Sequence, residues 1–256
     1  MRTLELKARY YCLVGEPTGH IEEEVAVDLD RAAFLPVDIY GCGFTEADGV
    51  AGVTEEMVRG ERMGTVGNIA DAIKAARSIK LPIIYVNNSA PRIETENSVF
   101  VNHLRKTISF DWEHEMRENP VDPMEYHFGD GTYLDIAKHI GPKPGDYFIR
   151  KLYYSGFTDT RLDKLLKHLD VKTCIFVGYA ADICLHFTMV DAMNANYNVI
   201  FMRDAVLTNA DLDPESHVNI PLFQNNTERF NLWHEMYAGR SATTPEFVRA
   251  CEAVAK

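Results

Sequence analysis

Long apolar runs are missing from this 256-residue chain. None approaches the roughly 18 residues that a membrane span needs, so no span is expected. Positive charge is also short. Lys and Arg number 26 against 38 Asp and Glu, for a formal net charge of −12. Such a surface repels phosphate backbones and anionic lipid, which argues against nucleic acid and membrane as partners. Cysteine is scarce: Cys12, Cys42, Cys174, Cys184 and Cys251, an odd number with no CxxC. That spacing argues against a disulfide framework and a structural zinc site, and it suits a reducing, cytoplasmic setting. Repeats, low-complexity tracts and clear linkers are absent. The opening stretch, MRTLELKARYYCLVGEP, is broken too often by charge to be read as a signal peptide.

What is present is a full core, with 46% hydrophobic residues, and a length suited to one α/β domain over residues 1–256. Residues 1–30 are β-rich, with period-two alternation on either side of the turn GEPTGH, and are expected to form a hairpin or arm. AAFLPVDIYG is an apolar strand ending at Asp38. Pro36 cannot donate to a ladder, so an edge position or local irregularity is expected there. VGNIADAIKAARSIK (66–80) has helical periodicity, and LPIIYVNNS is a buried strand ending in amides. Residues 89–145 are charged, aromatic and Pro/Gly-rich, an irregular insert that serves as a lid or subunit arm. Beyond it come strand DYFIRK, helix TRLDKLLKHL, strand KTCIFVGY, helix DICLHFTMVDAMNAN, strand YNVIFMRDAV and a partly helical PESHVNIPLFQNNTERF. TPEFVRACEAVAK closes the chain as a helix, with Thr244 as its expected cap and Pro245 in its first turn.

Strands alternating with helices specify a three-layer Rossmann-like fold, with a mostly parallel central sheet and helices on both faces. Open sheets of this kind bind ligands beyond the carboxyl ends of their strands. Asp38, Lys151 and the corner before Cys184 each follow a strand. Singly, each has a plain reading: a turn or cap aspartate, a solvated lysine, a cysteine filling a strand–helix corner. Their joint placement points to chemistry. A helix beginning near Ala181 or Asp182 would put Cys184 in its first turn, where the helix dipole and Lys151 would lower the thiol pKa. First-turn N–H groups would bind an oxyanion, and Asp38 would shuttle protons. Cys12, Cys42, Cys174 and Cys251 read as buried filler, although Cys42 in GCGF follows Asp38 closely enough to line a pocket.

The blocks FLPVDIYGCGF, KLYYSGFTDTRL and VGYAADIC occur in this order, with Cys184 33 positions after Lys151. They resemble the isochorismatase-like cysteine hydrolases, which carry an Asp–Lys–Cys triad on a Rossmann-like sheet. Pro36 and the Gly41–Cys42–Gly43 run depart from the family's usual VIDMQNDF-like block. The resemblance implies Asp38, Lys151 and Cys184 as catalytic residues. It implies a cis peptide at Tyr179–Ala180 and an oxyanion hole from the N–H groups of Ala180 and Cys184. Nicotinamidases of this superfamily hold a metal with an Asp and two His residues beyond the second strand. Here Asn87 and Asn88 stand there without a histidine pair, and His103, His114 and His127 show no ligand spacing, so neither metal nor cofactor is expected. Siderophore-type isochorismatases lack the cysteine, so Cys184 argues against that activity.

IIYVNN, KLYYSGFTDTRLDKLL and LFQNNTERF are similar to the ureidoacrylate, biuret and triuret amidohydrolases. That likeness implies a small linear amide or ureide substrate cleaved through an acyl-enzyme on Cys184. Gln224, Asn87 and Asn88 are the implied polar contacts, with Tyr40, Phe44 and Tyr154 as walls. The alternatives are a hydrolase of a larger amide or lactam, and a catalytically silent binding or scaffold member. Relatives assemble as homodimers or homotetramers, and the same is expected here.

Overall fold

A computed structural model describes residues 2–39, 64–88, 97–107, 136, 140–208 and 226–255. Apolar alternation builds the first two strands, β1 (Thr3–Cys12) and β2 (Gly19–Asp28), which pair antiparallel from Thr3↔Asp28 to Cys12↔Gly19. β3 (Ala32–Val37) follows and is buried along its whole length. Then come α1 (Thr65–Ser78), β4 (Ile84–Asn88), α2 (Val99–Thr107), β5 (Tyr147–Lys151) and α3 (Leu162–His168). The second half holds β6 (Thr173–Tyr179), α4 (Cys184–Asn194), β7 (Asn198–Leu207), α5 (Thr227–Tyr237), β8 (Arg240–Ala242) and α6 (Thr244–Val254).

These strands form one sheet in the order β2-β1-β8-β7-β6-β3-β4-β5, parallel from β8 to β5 with the β1–β2 hairpin antiparallel at one edge. Alternate residues of the central strands enter two cores. Phe34 and Ile175 meet Ile69 and Ile73 of α1 and Phe247 of α6. Leu35 and Phe176 meet Leu162 and Leu166 of α3 and Leu185 and Met189 of α4. Helices therefore cover both faces, as the apolar strand runs require. The order runs β3, β4, β5 one way and β6, β7, β8 the other. The reversal between β3 and β6 opens a crevice at their carboxyl ends.

Four expectations are corrected or extended here. First, Pro36 lies in a central strand, not at an edge, with Ala32–Val37 in continuous register with Thr173–Gly178 of β6. On the β4 side, Phe34 N–H donates to the Pro82 carbonyl and Asp38 N–H to the Val86 carbonyl. Alternation points the Pro36 nitrogen to that same side, so the missing donor falls on the thin β3–β4 ladder and the strong β3–β6 ladder is untouched. Second, α6 is capped by Thr243, not Thr244. Thr243 and Glu246 form a reciprocal capping box, which needs the acidic residue three positions on. Thr244 instead bonds the Asp204 carboxylate. Third, β8 has only three residues, too few for a periodic signal, yet it joins the hairpin to the parallel sheet. Fourth, the insert contains a helix, α2, with Val101 and Leu104 buried. Most of the rest of 89–145 lies outside the described residues.

Gly178 decides how closely β3 and β6 approach. Its φ is +118°, and a Cβ there would fall 2.0 Å from the Val37 carbonyl oxygen. Val37 is the residue before Asp38, so an alanine at 178 would either force β3 aside or strain β6. Gly178→Ala is expected to destabilise the fold by about 3 kcal/mol or more, read as a lowered denaturant midpoint. A midpoint unchanged from wild type would refute this account of the crevice.

Candidate active site

The carboxyl ends of four neighbouring strands, β6, β3, β4 and β5, deliver the site. Asp38 is the first residue beyond β3, with a left-handed φ of 48° and its N–H held by the Val86 carbonyl of β4 at 2.8 Å. Lys151 ends β5 and pairs in register with Asn88 of β4. Its long stem crosses the end of β4, bringing Nζ to 2.7 Å from Asp38 Oδ2. Asp38 is 3% exposed and Lys151 0%. A buried pair of this kind persists because each charge neutralises the other, and stranding one of them costs about 3–5 kcal/mol.

The pair is further fixed by β4. Asn88 N–H donates to Asp38 Oδ1 at 2.8 Å, and Lys151 Nζ donates to Asn88 Oδ1 at 2.5 Å. Asp38 Oδ2 faces the Lys151 ammonium, and the carboxylate lies close enough to the Cys184 thiol to raise its pKa. Burial presses the Lys151 pKa down, but the Asp38 carboxylate and Cys184 outweigh it, and the net shift is upward. Lys151 is therefore a firm ammonium.

Cys184 is the first residue of α4, after a turn over 181–183, so the helix begins later than Ala181 or Asp182. It is half-buried and packs against the core on the α3/α4 face. Its thiol pKa is not lowered, as the helix start and Lys151 suggested, but pushed up to about 12. Burial contributes most, Lys151 offsets part of it, and the adjacent Asp38 carboxylate pushes further up. The cation is already committed to a carboxylate, so the resting form is a neutral thiol beside a carboxylate base. Cys174 and Cys251 lie in the cores with thiols raised by burial.

The corner before Cys184 holds its backbone donors ready. The peptide Tyr179–Ala180 is cis. Ala181 N–H donates to the Leu207 carbonyl, and Ile183 and Leu185 N–H to the Ala180 carbonyl. Among the described residues, the N–H groups of Ala180 and Cys184 have no such acceptor. No side chain caps α4 at Ile183 either, which leaves its first turn open to an oxyanion. Two threonines, neither singled out from the sequence, tie this helix to the Lys151 loop. Thr188 Oγ1 donates to the Cys184 carbonyl and accepts from Gly156 N–H, while Thr160 Oγ1 donates to the Gly156 carbonyl. A hydroxyl one turn after the cysteine was the available signal.

Tyr154 is electrostatically coupled to Cys184. Its hydroxyl pKa is raised by burial first and by Cys184 second. It stacks on Phe187 of α4 with centroids 5.5 Å apart, and Phe100 of α2 meets it edge-on at 5.0 Å. The insert thus contributes an aromatic side chain to this wall. Asn87 and Asn88 do not act as a pair. Period two turns Asn87 to the face of Tyr85, where it is fully buried and its amide oxygen and nitrogen have no partner among the described residues. Among the described residues, no group of three or more His, Cys, Asp or Glu side chains is arranged to hold a metal, and His103 lies exposed on α2. Tyr40, Phe44, Gln224, the Gly41–Cys42–Gly43 run, His114 and His127 fall outside the described residues. Among those described, no helix is long and apolar enough to cross a membrane.

An isochorismatase domain model matches residues 50–220, which include Lys151 and Cys184 and begin after Asp38. The ureidoacrylate amidohydrolase RutB of Variovorax paradoxus is 27% identical over 220 residues, covering 82% of this chain and 84% of that protein. That of Rhizobium rhizogenes is 26% identical, covering 72% and 73%. Among solved structures, a cysteine hydrolase from Pseudomonas syringae pv. phaseolicola superposes with a TM-score of 0.64 at 20% identity, covering 89% of this chain and 95% of its own. N-carbamoylsarcosine amidase from Thermoplasma acidophilum gives 0.56 at 25%, covering 84% and 96%.

Proposed function

The chain belongs to the isochorismatase family, and from that footing we propose that it is an amidohydrolase cleaving a C–N bond of a small linear ureide or amide through an acyl-enzyme on Cys184. The observation that carries this reading is the Cys184 thiol set against a buried Asp38–Lys151 pair at adjoining strand ends. The names of two relatives support the substrate class. Ureidoacrylate and N-carbamoylsarcosine both present an N–CO–NH₂ group.

The chemistry follows from the protonation states. Asp38 Oδ2 takes the Cys184 proton as the sulfur bonds to the carbonyl carbon. The oxygen becomes an oxyanion, met by the N–H groups of Ala180 and Cys184. Collapse breaks the C–N bond, and Asp38 returns the proton to the departing ammonia or amine. Water then attacks the thioester-like carbonyl while Asp38 takes its proton. The C–S bond breaks and the proton goes back to the Cys184 sulfur, which restores the thiol. Lys151 holds its ammonium against the Asp38 carboxylate, 2.7 Å from Oδ2. No step calls for a metal.

A ureide offers little apolar surface, so selection rests on placed polar groups. Asn87 stays in the proposal from the sequence alone, since its amide is buried on the face of β4 opposite Asn88 and Lys151. Tyr154 forms a wall coupled to Cys184. Gln224, Tyr40 and Phe44 remain part of the proposal from the sequence.

The test is ammonia release from a panel of biuret, triuret, ureidoacrylate, maleamate and bulkier amides and lactams. Turnover of one of the small ureides or amides is expected, unchanged by a chelator. Preference for the bulky members would replace this reading with the larger-amide alternative. Inertness toward the whole panel would favour a binding protein.

A further inference from the structure

We propose that Asn88 is a positioning residue that sets the Asp38–Lys151 pair against the Cys184 thiol, and not a substrate contact. The inference rests on the reading of that pair as the acid–base machinery. The end of β4 works as a jig. The Val86 carbonyl fixes the backbone of Asp38, and two residues later the Asn88 N–H fixes its carboxylate at Oδ1. The Asn88 carboxamide is turned to the other member, with Oδ1 accepting from Lys151 Nζ. One residue thus holds the anion with its main chain and the cation with its side chain.

Register makes this possible. Asn88 and Lys151 are direct partners in the parallel β4–β5 ladder, so their side chains leave the same face about 5 Å apart. An ammonium has three N–H groups. Here Asn88 Oδ1 accepts from Nζ, Asp38 Oδ2 lies 2.7 Å away as the ion-pair partner, and Cys184 is close enough to raise the Lys151 pKa. Without the amide oxygen, attraction to the full charge of Asp38 outcompetes attraction to a neutral thiol. The ammonium then swings toward the carboxylate and away from the sulfur. The contact that offsets part of the thiol's upward shift weakens, and the base is no longer aimed.

The experiment uses Asn88→Ala in the full chain, with Asn88→Leu as a volume-matched variant should alanine fail to fold. Two quantities are read. One is the pH profile of iodoacetamide alkylation at Cys184, followed by peptide mass, which needs no substrate. The other is kcat and KM on the best member of the panel. The alkylation midpoint is expected to move to higher pH, and kcat to fall about 10- to 100-fold with KM within about twofold. In a Lys151→Met background, the further substitution at Asn88 should leave the midpoint where Lys151→Met put it. An unmoved alkylation profile overturns the proposal, whether KM rises tenfold, as a substrate contact would require, or kcat and stability fall together. A midpoint shift that persists in full without Lys151 also overturns it. A protein that turns over nothing on the panel but shows the shift retains Asn88 as the clamp while the substrate reading fails.

Discussion

Asp38→Asn is expected to abolish turnover, by about a thousandfold, while making Cys184 easier to alkylate. The two effects have opposite signs for one reason. In the wild-type protein the thiol is raised to about 12, chiefly by burial, with Lys151 lowering it and the Asp38 carboxylate raising it. At pH 7 the resting sulfur is therefore a neutral thiol. Asparagine removes the negative charge next to the sulfur and leaves the ammonium, so losing a proton becomes easier and the thiolate fraction rises at any fixed pH. Catalysis is lost all the same, because no base remains to carry the proton to the leaving amine or take one from water. Lys151→Met should do the reverse to the thiol. The lowering contribution disappears, the carboxylate stays, and alkylation slows. At pH 7.5 the expected rates differ from wild type by about tenfold or more in each direction, since one pKa unit changes the thiolate fraction tenfold. Both substitutions moving alkylation the same way would show that the sulfur does not sense this pair.

Cys184→Ala is expected to lower ammonia release by at least about ten-thousandfold with the fold intact. The side chain removed is small and half-buried, and the helix it starts is anchored elsewhere, by Leu185, Met189 and Ala192 in the core. The Thr188 hydroxyl bonds the carbonyl of residue 184 and does not depend on the sulfur. Stability loss should therefore stay within about 1–2 kcal/mol, and the lost activity cannot be assigned to unfolding. Serine at 184 is expected to fare nearly as badly. A hydroxyl is a poorer acid than the thiol, and Asp38 would have to deprotonate it.

The positions of Asp38, Lys151 and Cys184 could be read from the chain because each stands where an apolar run breaks, and in an open parallel sheet those breaks gather at one edge. The layer architecture was legible for the same reason. Other features depended on distances that no spacing encodes. The charge state of Cys184 is a sum of burial, one cation and one anion, and the sequence showed the cation and the helix start without showing that the cation was taken. NN at the end of β4 reads as two equivalent amides. Only the pleat separates Asn88, beside Lys151, from Asn87, buried on the opposite face. Pro36 argued for an edge or a local irregularity just before Asp38; the strand is central, and its missing donor falls on the thin β3–β4 ladder. The Thr243 cap, by contrast, was available from the sequence through Glu246 three residues on.

The central claim is that the acyl group resides on the Cys184 sulfur between the two half-reactions. Turnover in the presence of hydroxylamine tests it most directly, because an acyl-enzyme partitions between the two nucleophiles after ammonia has left. The account predicts hydroxamate formed in proportion to hydroxylamine concentration, with the rate of ammonia release in the first step unchanged, and neither product from Cys184→Ala. Hydrolysis that continues in Cys184→Ala at near the wild-type rate, with no hydroxamate at any hydroxylamine concentration, would contradict it.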